Sequence, residues 1–285
     1  MANEPLIKSF ESGRGDQLTE YWWPTENAQA AVFLIHGYGE YAGRYQHLAD
    51  DLATHGYSLY AFDLHGHGRS DGDRGFINTF DDFVVDTNAA LKRFDEVRGN
   101  LPAFHMGHSM GGLVLALYLN VHSIETNGLV FSSPFLKMAV EVSPLLQKLS
   151  GIIAAVLPKL PMGDVESEAI SRDIEEIKKY QDDPLVFHDK VVARTGARMI
   201  RATAFAREIV SNIDDPIVVF HGTDDRLAAF EGGELLYERA ASEDKTFHVY
   251  REGYHELFND LDRKRFYNEL TAWLDDHMPT KEKTT

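Results

Sequence analysis

Two hydrophobic patterns alternate along the chain. Continuous short apolar runs, typical of buried parallel strands, occupy 31–35, 58–62, 129–132, 217–220 and 246–250. Between them, apolar residues recur at helical spacing over 43–55, 81–97, 113–121, 230–241 and 263–277. Two further strands, 6–10 and 18–23, flank a turn at 13–16 and open the sheet. The alternation predicts an α/β fold whose mostly parallel sheet carries helices on both faces.

The alternation stops over 134–212. Leu145, Leu149, Ile152 and Val156 form an apolar stripe at helical spacing, which ends before Pro158. We interpret 134–212 as a helical lid inserted into a core domain made of 1–133 and 213–285. Either the stripe packs on the sheet, or part of it lines a pocket or contacts a lipid surface. The run is too short to span a bilayer.

Composition narrows the class of protein. The 285 residues are 44% hydrophobic and 26% charged, as in ordinary globular proteins. Lys and Arg number 28 against 45 Asp and Glu, and the net charge of −17 argues against binding to nucleic acid. Cysteine is absent, which excludes disulfides, a thiol nucleophile and cysteine–zinc sites. The first ten residues lack the pattern of a signal peptide, so we expect a cytoplasmic protein.

Residues 103–115 contain the motif most suggestive of chemistry. A strand-like run breaks at Gly107, presents Ser109, and resumes as a helix after Gly111 and Gly112. A serine on such a sharp strand–turn–helix junction requires neighbours without a Cβ, which the glycines supply. The stretch lacks the Gly-Lys-Ser/Thr and Gly-x-Gly-x-x-Gly patterns of phosphate-binding loops.

A serine nucleophile needs a base and a carboxylate, and both follow later strands. His255 follows the 246–250 strand, and Asp224 and Asp225 follow the 217–220 strand. The order serine, acid, histidine is typical of hydrolases with this turn. His105 and His108 are nearer to Ser109 in sequence, but we expect His108 to be a packed, hydrogen-bonded neighbour.

Metal-dependent chemistry has weaker support. His255-Glu256 resembles the start of a zinc-binding helix, but Asn259 stands where the second histidine is required. His65 and His67 lack a third ligand at a recognisable spacing, so we interpret them as ordering their loop. For the transition-state oxyanion, the expected donors are the backbone N–H groups of Tyr38 and Met110.

These residues resemble the monoacylglycerol lipases of the α/β-hydrolase superfamily, with the related lysophospholipases. The resemblance runs from about Phe33 to Trp273. Its signatures are His36-Gly37-Tyr38-Gly39-Glu40 with Gly43-Arg44-Tyr45, Asp63-Leu64-His65-Gly66-His67-Gly68-Arg69-Ser70, Gly107-His108-Ser109-Met110-Gly111-Gly112, Asp182-Asp183-Pro184-Leu185, His221-Gly222-Thr223-Asp224-Asp225-Arg226-Leu227 and Gly253-Tyr254-His255-Glu256.

The resemblance assigns roles to individual positions. It implies that Ser109 is the nucleophile, His255 the base and Asp225, rather than Asp224, the acid. It places Glu40 and Arg44 near the polar, glycerol-binding end of the pocket. Tyr38 departs from the family pattern, in which a small residue is common, and its side chain either narrows the pocket or points away.

The expected activity is cofactor-free and metal-free hydrolysis of a monoacylglycerol to glycerol and fatty acid through an acyl-enzyme. A lysophospholipase or a broad-specificity carboxylesterase is the alternative with the same machinery, and transfer of the acyl group to another alcohol is a further one. A hydrolase-fold ligand receptor with slow turnover is the remoter alternative. The expected partner is a small lipid ester, and the lid allows transient contact with a lipid surface. The oligomeric state is not predicted.

Overall fold

The computed structural model describes residues 3–140 and 143–279, so the outermost ends of the predicted core domain and two residues of the predicted lid lie outside the described part. The strands are β1 Leu6–Glu11, β2 Gln17–Trp23, β3 Ala30–Ile35, β4 Tyr57–Phe62, β5 Ala103–His108, β6 Gly128–Ser132, β7 Pro161–Gly163, β8 Val191–Val192, β9 Ile217–Gly222 and β10 Lys245–Tyr250. The helices are α1 Gln46–Thr54, α2 Phe80–Arg98, α3 Met110–Leu119, α4 Pro144–Val156, α5 Ile174–Asp182, α6 Ala193–Ile209, α7 Phe230–Arg239 and α8 Arg263–Asp276.

Eight strands form one sheet in the order β1-β2-β4-β3-β5-β6-β9-β10. The β1–β2 and β2–β4 pairs are antiparallel, and every later pair is parallel. Parallel strands bring their carboxyl ends to one edge of a sheet. The loops that follow β3, β5, β9 and β10 therefore meet at that edge, and these loops carry the motif residues.

Helices cover both faces of the sheet, as the sequence predicted. Ala31, Phe33 and Ile35 of β3 join the core beneath α2 and α3, while Val32 and Leu34 join the core beneath α1 and α8. Alternate side chains of a strand point to opposite faces, so β3 is fully buried only because helices cover both. This is the α/β-hydrolase fold.

Between β6 and β9 the chain leaves the sheet, and we call residues 134–212 the insert. It contains α4, α5 and α6, and also the antiparallel β7–β8 pair, which the sequence analysis missed. Two helix boundaries were also predicted imprecisely. The segment predicted as one helix over 43–55 begins as a 3₁₀ turn, Ala42–Tyr45, and α3 begins three residues earlier than predicted.

The apolar stripe on α4 does not pack on the sheet where its side chains are described. Ile152 is 63% exposed and Val156 72%, and Leu149 is exposed as well, whereas Ile153 faces an internal cavity. The side chain of Leu145 lies outside the described residues. Among the helices of the described segments, none has both the length and the apolar character needed to cross a membrane.

Candidate active site

Ser109 lies on the turn between β5 and α3 in a conformation that side chains rarely adopt. Its φ is 52° and its ψ is −120°, in the left-handed half of φ space that costs free energy for a residue with a Cβ. A Cβ on Gly107 would lie 2.6 Å from the carbonyl oxygen of Gly111 and 2.7 Å from Cα of Gly112. The glycines are therefore needed for the turn to close, as the sequence predicted.

Asp225 and His255 are brought together from two different loops. Nδ1 of His255 lies 2.7 Å from Oδ2 of Asp225, and both side chains are buried. The other carboxylate oxygen of Asp225 accepts hydrogen bonds from the backbone N–H groups of Leu227 and Ala228, at 2.9 Å each. Nε2 of His221 lies 3.2 Å from Oδ2. Asp224, the alternative acid, is exposed and accepts instead from the hydroxyl of Thr223.

The pKa values of this pair shift in opposite directions. Burial alone would raise the pKa of Asp225, but the charge of His255 and the hydrogen bonds from His221 and His255 hold it well below its usual range. Burial alone would lower the pKa of His255, but the charge and hydrogen bond of Asp225 raise it above 6.5. The ionised carboxylate thus holds the proton on Nδ1 and leaves Nε2 able to accept another.

The histidines nearest to Ser109 in sequence have other contacts. His108 Nδ1 lies 3.1 Å from the carbonyl oxygen of Ser132, and its ring packs edge-on against Phe258. Burial holds the pKa of His108 well below its usual value. The expectation of a packed, hydrogen-bonded neighbour is confirmed. His105 is also buried and contacts the hydroxyl of Thr126.

His67 lies inside the loop that follows β4. Its Nδ1 is 3.0 Å from the carbonyl oxygen of His65, and burial lowers its pKa to about 4. This contact fits a role in ordering the loop. Across residues 3–140 and 143–279, no group of three or more His, Asp or Glu side chains is arranged to hold a metal ion.

The loop after β3 lies directly against Ser109. A Cβ on Gly37 would lie 2.9 Å from Oε1 of Glu40 and 3.0 Å from Cβ of Ser109, so any larger residue would force these side chains to shift. Tyr38 lines the cavity next to Ser109, while its hydroxyl donates to the carbonyl oxygen of Gly75 at 2.8 Å and its ring packs edge-on against Phe187. Met110 is the first residue of α3, and the first N–H groups of a helix have no partner within it.

Glu40 and Arg44 belong to a buried ionic network that also contains Glu256. Arg44 donates from Nη1 to Glu40 at 3.0 Å, and from Nη1 and Nη2 to the two oxygens of Glu256 at 2.6 and 2.7 Å. Glu40 and Glu256 line the cavity, whereas Arg44 is outside the set of lining residues. The sequence analysis missed the role of Glu256, which is 212 residues from its partner.

A cavity of about 390 Å³ opens beside Ser109 and His255. The insert supplies most of its apolar wall, including Met138, Ile153, Val165, Ile170, Met199 and Ile200. The polar side chains that line the cavity include Glu40, Glu256 and Arg226. Apolar walls with a few polar groups are typical of small-molecule sites. The cavity therefore suits a ligand with a long apolar part and a small polar part.

One segment of the insert, residues 167–188, is hydrogen-bonded to the loops of the site. The backbone N–H of Phe187 donates to the carbonyl oxygen of Gly39 at 2.7 Å, and the N–H of Glu256 donates to the carbonyl oxygen of Ile170 at 2.7 Å. Arg172 also pairs with Asp260 at 2.9 Å. The segment 167–188 is thus part of the site's framework, whereas Ile152 and Val156 of α4 and the strand β7 are exposed.

The fold and this constellation define the class of α/β-hydrolase-type serine hydrolases. Residues 26–262 match the family described as serine aminopeptidase, S33, and the chain belongs to that family. It is 33% identical over 259 residues to the monoacylglycerol lipase of Mycolicibacterium smegmatis, covering 91% of this chain and 92% of the relative. It is 31% identical over 263 residues to the monoglyceride lipase of Homo sapiens, covering 91% and 87%.

A solved structure gives the same result. The crystal structure of Paleococcus ferrophilus monoacylglycerol lipase superimposes with a TM-score of 0.80 at 29% identity, covering 91% of this chain and 99% of that one. The resemblance to monoacylglycerol lipases stated from the motifs is confirmed. The protein is an enzyme, a serine hydrolase of carboxylic esters.

Proposed function

We propose that the protein cleaves monoacylglycerols to glycerol and free fatty acid through an acyl-enzyme. The observation that carries this proposal is the position of Ser109 and His255 on the wall of one cavity, apolar along the insert and polar at Glu40 and Glu256. A monoacylglycerol has the same division into an apolar chain and a small hydroxyl-bearing head group. The relatives named monoacylglycerol lipase support the same substrate.

Acylation assigns one role to each of three residues. Ser109 Oγ attacks the ester carbonyl carbon while its proton passes to Nε2 of His255. Asp225 keeps the proton of His255 on Nδ1 and stabilises the imidazolium that forms. Collapse of the tetrahedral intermediate breaks the ester C–O bond, and His255 returns the proton to the departing glycerol oxygen.

One pair of backbone donors stabilises the oxyanion in both half-reactions, and Ser109 and His255 act again in the second. The backbone N–H groups of Tyr38 and Met110 donate to the negatively charged oxygen in both tetrahedral intermediates. Water then attacks the acyl-enzyme, giving a proton to His255, and Ser109 regains that proton as the fatty acid leaves. No cofactor enters either step.

The polar end of the cavity favours an uncharged head group. Glu40 and Glu256 line the cavity with carboxylate oxygens, which accept hydrogen bonds from hydroxyl groups and repel phosphate. The cation Arg226 also lines the cavity, but it is exposed, stacks over Tyr254 and donates to the carbonyl oxygen of Glu168. Arg44 supports this end by holding both carboxylates. We therefore expect glycerol to be preferred over the phosphate-bearing head group of a lysophospholipid.

The insert serves as a lid that contacts lipid surfaces transiently. Ile152 and Val156 of α4, together with Leu157, expose apolar side chains on one half of it. Residues 134–212 contain eleven basic and eleven acidic residues, so the whole net charge of −17 lies outside the insert. Contact through the insert thus brings a part of the protein without net charge to the lipid.

The test compares initial hydrolysis rates on a long-chain monoacylglycerol, the matching lysophosphatidylcholine and a short-chain nitrophenyl ester, with Ser109→Ala as the control. We expect the monoacylglycerol to be preferred and Ser109→Ala to be inactive while folded. Preference for either competitor would discard the substrate but keep the serine chemistry. Labelling of Ser109 by a phosphonate with negligible turnover of every ester would instead indicate a receptor.

A further inference from the structure

Arg44 lies between two buried carboxylates from two different loops. Its side chain is 8% exposed, and those of Glu40 and Glu256 are 3% exposed. The guanidinium carbon lies 4.7 Å from the ring centroid of Tyr180, so the insert covers its face. A planar guanidinium held at both forks by carboxylates and stacked on an aromatic ring has a fixed orientation.

Each carboxylate in turn holds a loop of the active site. Glu40 accepts from the backbone N–H of Gly37 at 2.7 Å and from the hydroxyl of Tyr45 at 2.7 Å. It thereby fixes the loop of residues 36–40, which we call the oxyanion loop because it carries Tyr38. Glu256 directly follows His255 in the chain and accepts a further hydrogen bond from Asn259 at 2.9 Å.

We propose that Arg44 and Glu256 are a positioning pair that holds the backbone of His255 in register with the oxyanion loop. This inference rests on the proposed function, because it assumes that His255 and the oxyanion loop act on the same substrate carbonyl. Arg44 is then a positioning residue that acts through its two partners, and Glu256 is a second positioning residue. The pair joins positions 212 residues apart in sequence.

Burial makes this pair sensitive to the loss of either partner. Removing one member of a buried ion pair leaves an uncompensated charge, whereas removing both members is far better tolerated. Burial raises the pKa of Glu40 to about 7 despite the opposing charge of Arg44, with Glu256 raising it further. A single guanidinium, that of Arg44, therefore stabilises the negative charge of two buried carboxylates.

The pair also acts on His255 electrostatically. The charged and titratable groups around the His255 imidazole include Asp225, His108, Glu40 and Glu256, and Arg44 is paired with both glutamates. Although burial lowers the pKa of His255 and Asp225 is the main group raising it, the charges of Glu256 and Glu40 raise it too. Loss of Glu256 should lower this pKa, and loss of Arg44 should raise it.

The experiment compares Glu256→Gln, Arg44→Gln and the double variant with the unaltered protein. Arg263→Gln is the matched control, because Arg263 pairs with Asp173 of the insert at 2.9 Å and, in the described part of the chain, forms no ion pair with Glu40 or Glu256. Each protein is assayed on a short-chain nitrophenyl ester for kcat, KM and the pH dependence of kcat/KM. Thermal unfolding measures the stability of each variant, and a fluorophosphonate reports the reactivity of Ser109.

We expect each single variant to lose about 10- to 100-fold in kcat with little change in KM, since small displacements of reacting groups have effects of this size. The acidic limb of the pH profile should move to lower pH for Glu256→Gln and to higher pH for Arg44→Gln. The double variant should recover part of the lost kcat, and Arg263→Gln should keep it.

Two results would overturn the inference. One is loss of kcat only in proportion to lost thermal stability, with no displacement of the acidic limb, which would make the pair merely structural. The other is displacement of the limb in the same direction for both single variants. Failure of the proposed function is a separate outcome, because the unaltered protein itself would then hydrolyse no ester, whether or not the fluorophosphonate labels Ser109.

Discussion

Replacement of Asp225 by Asn tests the acid of the site most directly. The amide oxygen would keep the hydrogen bonds from the backbone N–H groups of Leu227 and Ala228. The amide nitrogen would then face Nδ1 of His255, at the position that now accepts a hydrogen bond at 2.7 Å. Two donors cannot share a hydrogen bond, so His255 would move its proton to Nε2. Nε2 would no longer accept a proton from Ser109.

The expected loss is large because the substitution changes both tautomer and charge. Loss of the carboxylate in such a triad typically lowers kcat about 10⁴-fold, which corresponds to about 5.4 kcal/mol in activation free energy. Burial of a mismatched polar group should also destabilise the fold by about 1–3 kcal/mol. The two effects are separable, because the first concerns turnover and the second thermal unfolding.

The assay measures kcat/KM on a soluble ester for Asp225→Asn and for the neighbouring Asp224→Asn. Asp224 is exposed and accepts only from Thr223 among its described side-chain contacts, so its replacement should change stability by no more than about 0.5 kcal/mol. Turnover by Asp225→Asn within tenfold of the unaltered protein, or an equal loss in Asp224→Asn, would refute the assignment of the acid.

Three further predictions concern the turn, the cavity and pH. Gly107→Ala should destabilise the fold by about 1–3 kcal/mol in urea unfolding, since its Cβ would meet backbone at 2.6 Å. Gly151→Ala, with open space around its Cβ, should not destabilise it, and equal effects would contradict this reasoning. Ala197→Trp, on the cavity wall, should lower kcat/KM on long-chain esters relative to kcat/KM on short-chain esters. An unchanged ratio would indicate that the acyl chain does not lie along this wall. The value of kcat/KM should rise as pH passes the pKa of His255, which Asp225 holds above 6.5 against the effect of burial. An acidic limb below that value would contradict the assignment of the base.

The raised pKa of His255 also links pH to stability. Because the folded state holds this proton more tightly than the unfolded state, the contribution to the free energy of unfolding is fully present below the unfolded pKa. It is lost as pH rises through the folded pKa of His255. The Ser109→Ala variant retains the Asp225–His255 pair, so it should show the same dependence in thermal unfolding measured across pH.

Local sequence patterns were sufficient to predict the strands of the main sheet. The apolar runs that became β3 and β9 are continuous because helices cover both faces, and this burial is visible in composition alone. The β7–β8 pair was missed because Pro161–Gly163 is too short and too exposed for hydrophobic periodicity to reveal a strand. Its pairing joins Pro161 to Val192 and Gly163 to Val191, and the local sequence pattern does not contain such distant partners.

The site was predictable where a motif required a backbone geometry. Gly107 and Gly111 imply the sharp turn at Ser109 because only glycine fits there. The link between Arg44 and Glu256 was not predictable, since neither residue constrains its own backbone and the contact depends on how two loops meet. The exposure of Ile152 was likewise undetermined, because helical spacing shows that a stripe exists but not what it faces.

The hydrogen bond from Phe187 to Gly39 sets a limit on how this enzyme can be re-engineered. Exchange of residues 144–165 for the equivalent stretch of a relative leaves that bond and the Ile170 contact with Glu256 intact, provided that the new stretch keeps the pairing of β7 with β8. Exchange of 167–188 would alter the contacts that hold two loops of the active site, those of Gly39 and Glu256, at the same time. A chimera designed to alter chain-length preference should therefore retain residues 167–188 and place its junctions outside that segment, rather than exchange the whole insert.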